Sequence, residues 1–492
     1  MEQQSPYIAA ILSFDPIKEI HCLPEDIAWL EIRADKLPGY NPDKSKGLSY
    51  IYALRSKEHG GQYKGSSKER NHMLLEATVD YDLIELEADK DLSKEILLAI
   101  PPENRMIAWY GAPKSLEELR EIRRQLMEIP ARYYKIVPEA RRSGEELAPL
   151  QLLKESETKN LIAYASGPIG LWTQIVAAYF DSPFVYGNLD EGSENYFSIT
   201  QLIQDYALPS VHPIESLYGI VGNPVLKSLS PRLHNRTYLH SNFPGLFIPF
   251  HVESFDNFWT DIVQNKALHT LGLELKGLTT VSPYKEAALL KADLNQNSLT
   301  ELVGSCNIVI HKDQQWIANT TDFYGVSTGL KELGISITDN KIAVIGCGGA
   351  GRTIAAGLLS AGASISLVNR GIERGENAAK LLGVEFQPLS NFDPMGFKVI
   401  INATPMGKMP VALPFDPQLL DNDAVVVDMA YGKTETLLIK KCMQLGIPSI
   451  TGRLMLVLQV RRQFSLMTGR DMPLELAEYL ADIKKQVEIV EQ

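Results

Sequence analysis

The stretch Lys341-Ile-Ala-Val-Ile-Gly-Cys-Gly-Gly-Ala-Gly351 constrains this chain more than any other. A short apolar run reads as a buried parallel strand, and the glycines after it let the backbone turn tightly into an amphipathic helix from Thr353 to Ala361. The N-terminus of such a helix presents free N–H groups and a positive dipole end to a pyrophosphate. A second apolar run, Ser364 to Val368, ends where the adenosine ribose of a dinucleotide would lie. Folds that choose NAD usually place an acid there. This chain has Asn369 and Arg370, and a guanidinium suits a 2′-phosphate. The segment is read as an NADP-binding unit, with Gly346, Gly348, Gly349, Ala350, Asn369 and Arg370 facing the cofactor. The bland alternative is an ordinary strand-to-helix turn, and the second strand weighs against it.

At 492 residues the chain exceeds what one hydrophobic core serves, so two to four domains are expected. Hydrophobic residues at 45% and charged residues at 22% are ordinary for a soluble globular protein. A net charge of −12 argues against nucleic acid or an anionic membrane as a general partner, yet leaves room for basic pockets that bind anionic substrates. Cys22, Cys306, Cys347 and Cys442 have neither paired nor metal-type spacing, which fits a reducing compartment and no bound metal. There is no signal-like start and no membrane-length apolar run, so a cytoplasmic location is expected.

Two prolines in Leu208-Pro-Ser-Val-His-Pro-Ile-Glu-Ser216 separate regions of different rhythm. Before them come eight short apolar runs: Ile8–Leu12, Ile27–Ile32, Tyr50–Leu54, Leu83–Leu86, Met106–Tyr110, Tyr133–Val137, Leu161–Ala165 and Phe184–Tyr186. Each is followed by helix-like spacing, which is the count of a (β/α)8 barrel. Functional residues of such barrels lie at the C-terminal strand ends, where this chain carries Glu31, Arg33, Arg55, Glu85, Glu87 and Lys135. After the linker, strands and helices alternate again. The expected architecture is α/β throughout: a barrel over 1–212, a substrate-binding α/β domain over 217–324 completed by helices in 454–492, and a Rossmann domain over 325–453.

The second half carries polar residues in apolar or turn contexts. Ser228 and Ser230 sit two residues apart on an extended loop and could bind a carboxylate, or cap the helix that starts at Pro231. Lys285 follows a strand-proline turn, and Asn307 and Asp322 end successive strands. Together with Tyr218-Gly-Ile-Val-Gly-Asn-Pro224, Ser228-Leu-Ser-Pro-Arg-Leu-His-Asn235, Pro283-Tyr-Lys-Glu-Ala-Ala288, Gly304-Ser-Cys-Asn307, Asn402-Ala-Thr-Pro-Met-Gly407 and Gly452 through Gln459, this order resembles the shikimate dehydrogenases from Tyr218 to about Met472. The resemblance implies NADPH-dependent reduction of 3-dehydroshikimate to shikimate. It makes Lys285 and Asp322 the catalytic pair, gives substrate to Ser228, Ser230, Asn307 and Gln459, and adds Thr404 to the cofactor residues. One departure is Val281, where that family usually has a substrate-binding threonine.

The first half resembles type I 3-dehydroquinate dehydratase through Glu31-Ile-Arg-Ala-Asp35, Leu54-Arg-Ser56 with Gly60-Gly61, Asp82-Leu-Ile-Glu-Leu-Glu87 and Tyr133-Tyr-Lys-Ile-Val137. The two activities occur fused in this order in some organisms. The resemblance implies that Lys135 forms a Schiff base with 3-dehydroquinate, that Glu31, Arg33 and Arg55 bind substrate, and that desolvation or a nearby cation lowers the lysine pKa. The departures are several. Gly111 stands where the catalytic histidine is expected, Gln174 where a carboxylate-binding arginine is expected, and His59 where a glutamate is usual. The late loop reads Ser193-Glu-Asn-Tyr-Phe197.

Three readings follow: a bifunctional enzyme of aromatic amino-acid biosynthesis, a shikimate dehydrogenase carrying a catalytically degenerate barrel, or an NADP-binding regulatory module without turnover. Lys285 with Asp322 counts against the third. The partners expected are small molecules, namely 3-dehydroquinate, 3-dehydroshikimate and shikimate, and the oligomeric state is left open.

Overall fold

The computed structural model describes residues 5–13, 23–189, 196–406, 413–432 and 434–483. The chain forms two compact units, Met1–Leu217 with Asn242–Leu275, and Tyr218–Ser241 with Lys276–Gln492.

In the first unit the eight expected apolar runs are eight strands. They are β1 (Tyr7–Leu12), β2 (Ile27–Arg33), β3 (Ser49–Ala53), β4 (Leu83–Glu87), β5 (Arg105–Gly111), β6 (Tyr133–Pro138), β7 (Leu161–Ala163) and β8 (Phe184–Asn188). They pair in the order β7-β6-β5-β4-β3-β2-β1-β8, with β1 parallel to both β2 and β8. This is the strand arrangement of a (β/α)8 barrel. Strands buried on both faces need continuous apolar runs, which is why the sequence displayed them. Most strands extend past their apolar run by a polar or small residue, such as Arg33, Glu87 or Gly111, whose backbone still pairs. Among the described residues, the connection from β2 to β3 departs from strict alternation. Between β2 and β3 the chain makes only a 3-10 turn, Lys44–Lys46, which is too short to form a covering helix.

A further strand, β9 (Ser216–Gly222), leads into the second unit, whereas β10 (Gly245–His251) lies in the first. There Phe250 meets Trp172 edge to face at 5.4 Å, and Gln151 Nε2 donates to Thr270 Oγ1 at 2.7 Å.

The second unit contains two sheets. One runs β9, β11 (Glu274–Thr280), β13 (Ile308–Lys312), β14 (Gln315–Asn319), β12 (Leu294–Asn295), with antiparallel pairing of β13 to β11 and to β14. The other holds β15 (Lys341–Ile345), β16 (Ser364–Asn369), β17 (Glu385–Pro388), β18 (Val399–Asn402), β19 (Val425–Asp428) and β20 (Ser449–Ile450). These pair parallel in the order β17-β16-β15-β18-β19-β20. Alternate residues feed opposite faces: Ile342, Val344, Ile401 and Val427 enter one core cluster, and Ala343, Ile345, Ile400 and Val426 the other. Strand order reverses between β15 and β18, the place where open α/β sheets bind ligands. The helix Gly452–Thr468 packs on Asp322–Glu332 and on Ser230–His240, while the tail beyond 483 lies outside the described residues. Among the described residues no helix is long and apolar enough to cross a membrane.

Candidate active sites

Lys285 opens the helix Lys285–Lys291, and Asp322 opens Asp322–Glu332. Lys285 Nζ donates to Asp322 Oδ2 at 2.6 Å, with side-chain exposures of 18% and 4%, so the lysine keeps an edge toward solvent. The second carboxylate oxygen, Oδ1, accepts from Asn307 Nδ2 at 2.9 Å and from Gln459 Nε2 at 3.2 Å. Asn307 also donates to Thr321 Oγ1 at 3.0 Å and accepts from the Thr321 N–H at 2.9 Å. Gln463, one helical turn beyond Gln459, donates to Thr321 Oγ1 at 3.2 Å. A carboxylate held by three donors has no freedom to turn, so it fixes the direction of the lysine amine. The sequence pointed to Asn307 and Gln459. Thr321 stood in the Thr321-Asp322 motif without a role assigned to it, and Gln463 was missed, although its four-residue spacing from Gln459 on one helix was the available signal.

Ser228 and Ser230 are joined by a bond from the Ser230 N–H to Ser228 Oγ at 3.2 Å. Ser230 is buried in the first turn of the helix Ser230–His240, and Ser228 follows a turn closed on Val225, so the pair does not lie on the extended loop expected. Tyr431, also missed, is hydrogen-bonded to Ser228.

The glycine turn lies against this site. Gly346 adopts φ +108°, which disfavours any side chain, and a Cβ on Gly351 would run into the Gly346 carbonyl. A Cβ on Gly349 would lie 3.2 Å from Ser305 Oγ and 3.4 Å from Lys285 Cδ. The N-terminus of the helix Gly349–Ser360, with Ala350 in its first turn, therefore begins beside the lysine. Ser305 Oγ is buried and has no partner among the described residues. Thr404 bonds Asn402 at 2.6 Å and packs its methyl against Gly346. Asn369 accepts from the Cys347 N–H at 3.2 Å and donates to the Gly371 carbonyl at 2.8 Å, so it braces the turn. Arg370 is exposed beside it, and Arg374, which the sequence reading missed, donates Nε to the Cys347 carbonyl at 3.2 Å. A cradle without side chains, an open helix N-terminus, an unpartnered buried hydroxyl and two arginines fit a phosphorylated dinucleotide.

In the barrel, Lys135 is completely buried and donates to Glu31 Oε2 at 3.1 Å and Glu85 Oε2 at 3.0 Å. Arg55 Nη2 reaches Glu85 Oε1 at 2.8 Å and the Tyr110 hydroxyl at 2.6 Å, and lies 3.6 Å from Glu31. Tyr110 in turn donates to Glu85 at 2.9 Å. The Lys135 amine sits 3.8 Å above the Tyr186 ring. Buried polar atoms of the barrel without a hydrogen-bond partner among the described residues include Glu31 Oε1, Arg55 Nε, Tyr164 OH and the Gln174 amide, and also His59 Nδ1 and Glu87 Oε2.

Three family models match the chain: type I 3-dehydroquinase over residues 24–212, the shikimate dehydrogenase substrate-binding domain over 220–309, and NADP oxidoreductase, coenzyme F420-dependent, over 341–432. A shikimate dehydrogenase (NADP(+)) of Methanothrix thermoacetophila is 32% identical over 267 residues, covering 53% of this chain and 95% of that protein. The chain belongs to the shikimate dehydrogenase family, behind a type I 3-dehydroquinase domain. The same composite is found in a chloroplastic bifunctional 3-dehydroquinate dehydratase/shikimate dehydrogenase of Arabidopsis thaliana, 26% identical over 483 residues, 91% of this chain and 78% of that one. A crystal structure of shikimate dehydrogenase from Aquifex aeolicus superposes with a TM-score of 0.50 at 27% identity, covering 55% of this chain and 99% of that chain.

The 3-dehydroquinase domain corrects one expectation. Lys135 is not tuned downward: burial alone would lower its pKa, but the carboxylates of Glu31 and Glu85 outweigh burial and hold it well above the usual lysine value. Arg33 forms two bonds to Asp35, both 2.9 Å. Glu85 joins the site beside Glu31 and Arg55, and its carboxyl is held below the usual range: burial would raise it, but Arg55 and Lys135 prevail. Tyr110, the neighbour of Gly111, was missed because a strand-end tyrosine reads as packing. Gln174 is buried on the helix Thr173–Ala178, and Ser193, Glu194 and Asn195 of the late loop lie outside the described residues.

Proposed function

We propose that the second unit of this bifunctional shikimate-pathway enzyme reduces 3-dehydroshikimate to shikimate through Lys285 and Asp322, and that the barrel dehydrates 3-dehydroquinate on Lys135. The observation that carries the first part is the 2.6 Å Lys285–Asp322 pair set against the glycine turn. NADPH, when bound, supplies the hydride for the carbonyl carbon. Gly346, Gly348, Gly349 and Ala350 would hold its pyrophosphate, with Arg370 and Arg374 on the 2′-phosphate and Asn369 and Thr404 keeping the turn in shape. Lys285 delivers a proton to the carbonyl oxygen, and Asp322 orients the amine and takes part in its proton exchange. Asn307 and Gln459 position the substrate hydroxyls, and Ser228 and Ser230 bind its carboxylate.

In the barrel Lys135 first passes its proton to Glu31, since Arg55 keeps Glu85 in its charged form, and the free amine then attacks the ketone. The unpartnered polar atoms of Glu31, Arg55, Tyr164 and Gln174 support a polar guest in this interior, with Gln174 donating to the substrate carboxylate. In functional terms we assign 1–212 to the dehydratase, 217–324 with 454–492 to shikimate binding, and 325–453 to NADP. Burial pushes the Cys306 and Cys442 thiols up to about 12 and the Cys347 thiol up to about 11, which fits unreactive cysteines. The small substrates are the partners, and the charge of −12 speaks against nucleic acid or an anionic membrane surface.

The deciding assay is NADPH-dependent reduction of 3-dehydroshikimate by the whole chain and by Lys285→Ala. Loss of the proton donor lowers turnover by about 10²- to 10⁴-fold. Unchanged turnover in the variant would remove Lys285 from the role of proton donor.

A further inference from the structure

A dehydration that proceeds through an iminium needs a base for the neighbouring carbon, and Gly111 cannot be that base. Nor is there space for one at that position, since a Cβ on Gly111 would lie 2.6 Å from the Trp109 ring. We propose that His59, beside Glu87, is the base that removes this proton; the proposal rests on the dehydratase reading of the barrel.

Three strand ends converge on His59. It closes the 3-10 turn Lys57–His59 directly after β3, and the turn is pinned there by the Gly61 N–H on the Ser56 carbonyl at 2.8 Å. Its neighbours Lys57, Glu58 and Gly60 are exposed, yet the His59 side chain is only 11% exposed. Its Nδ1 lies 3.2 Å from Glu87 Oε2 at the end of β4, and its ring centroid is 5.7 Å from that of Tyr110 at the end of β5. Both ring nitrogens face carboxylates, Nδ1 that of buried Glu87 and Nε2 that of exposed Asp89 at 3.6 Å, and Nε2 is the nitrogen that would serve as base once Asp89 turns to solvent. Glu87 is itself fixed by the Ser56 N–H at 2.9 Å and by Arg70 at 3.2 Å.

Tyr110 shows where the substrate goes. Its ring centroid is 5.7 Å from that of His59 and 5.8 Å from Lys135 Nζ, while its hydroxyl bonds Arg55 and Glu85. A six-membered ring bearing a hydroxyl thus neighbours both the amine and the imidazole. The carbocycle of 3-dehydroquinate, taking that place as Tyr110 swings out, would put its reacting carbons between the amine and the imidazole.

Other groups near Lys135 fit the role less well. Glu31 and Glu85 are bonded to the lysine, and burial pushes the phenols of Tyr110 and Tyr164 well above their usual value. His72, the other described histidine before the linker, is exposed beside Glu76. The donor atoms of His59, Glu87 and Asp89 also lie close enough together to ligate a metal. Arg70, 3.2 Å from Glu87, and Lys90, 3.9 Å from Asp89, already place positive charge there, which favours the base.

The step balances within the chain and substrate. The Lys135 amine and the ketone form an iminium and release one water. His59 takes a proton from the adjacent carbon, and the electron pair becomes the carbon–carbon double bond of an enamine. The enamine expels the β-hydroxyl, which leaves as water with the proton returned by His59, and hydrolysis of the iminium restores Lys135.

The test is 3-dehydroquinate turnover together with borohydride trapping and mass mapping, in the whole chain and in His59→Gln. The expected result is an adduct on Lys135 in both, with turnover falling by about 10²- to 10⁴-fold in the variant. Turnover close to wild type in His59→Gln overturns the proposal, as does an adduct without turnover in the unaltered chain or loss of its turnover with EDTA. Neither adduct nor turnover in the unaltered chain takes down the dehydratase reading, and His59 with it. Should His59→Gln lose the adduct as well, added imidazole decides the matter in His59→Gly: restored turnover supports the role, and no restoration overturns it.

Discussion

Phe323 packs so tightly on Gly357 that a Cβ there would run into its ring. The contact locks the helix that begins with Asp322 onto the helix that begins at the glycine turn. Gly357→Ala therefore costs about 1–3 kcal/mol, as overpacking of a core does, and shifts Asp322 relative to the turn. The expected outcome is a lower Tm together with reduced dehydrogenase kcat. A Tm equal to wild type would show that Phe323 yields without cost.

Arg374 leans on the glycine turn through the Cys347 carbonyl. A charge-assisted bond to a phosphate contributes about 1.5–3 kcal/mol, so Arg374→Ala raises KM for NADPH roughly tenfold or more. KM for NADH, which lacks the 2′-phosphate, stays put. Equal loss with both cofactors would mean that the arginine only supports the turn.

Glu146 lies buried beside β6, accepting the Gly144 N–H at 2.6 Å, and burial pushes its pKa up to about 8 from an ordinary 4.5. Between those values the folded chain binds a proton that the unfolded chain has lost. Its contribution therefore weakens the fold progressively as pH rises from about 4.5 to about 8. Glu146→Gln removes the titration. The variant should gain Tm relative to wild type at about pH 8 and much less at about pH 5. A difference independent of pH would contradict the buried neutral acid.

Most of the fold was legible because its strands are buried on both faces and must be apolar throughout. The eight barrel runs and the run before Gly346 could be read for that reason. Lys285 and Asp322 were singled out as a pair only by the resemblance to the shikimate dehydrogenases, since each alone reads as an ordinary turn or helix start. What could not be read was the side-chain pairing inside the barrel. Glu31, Arg33, Glu85 and Glu87 all point from strand ends, and nothing in their spacing says that Arg33 turns to Asp35 while Glu85 turns to Lys135. The sign of the lysine shift followed from that pairing, because two carboxylates reverse what burial alone would do. Gln463 and Arg374 were missed for a simpler reason: each lies four residues beyond a residue already singled out, on the same helical or turn-to-helix path.

The division of the chain into units bears on how such a protein can be taken apart. Asn242–Leu275 groups with the barrel although it follows the linker and the first helix of the dehydrogenase half. Yet the shikimate dehydrogenase substrate-binding model, over residues 220–309, takes in that stretch, so by family it belongs to the second half and by contact to the first. A cut at the prolines would keep each family's sequence whole and strip the barrel of a neighbour that Trp172 and Gln151 pack on.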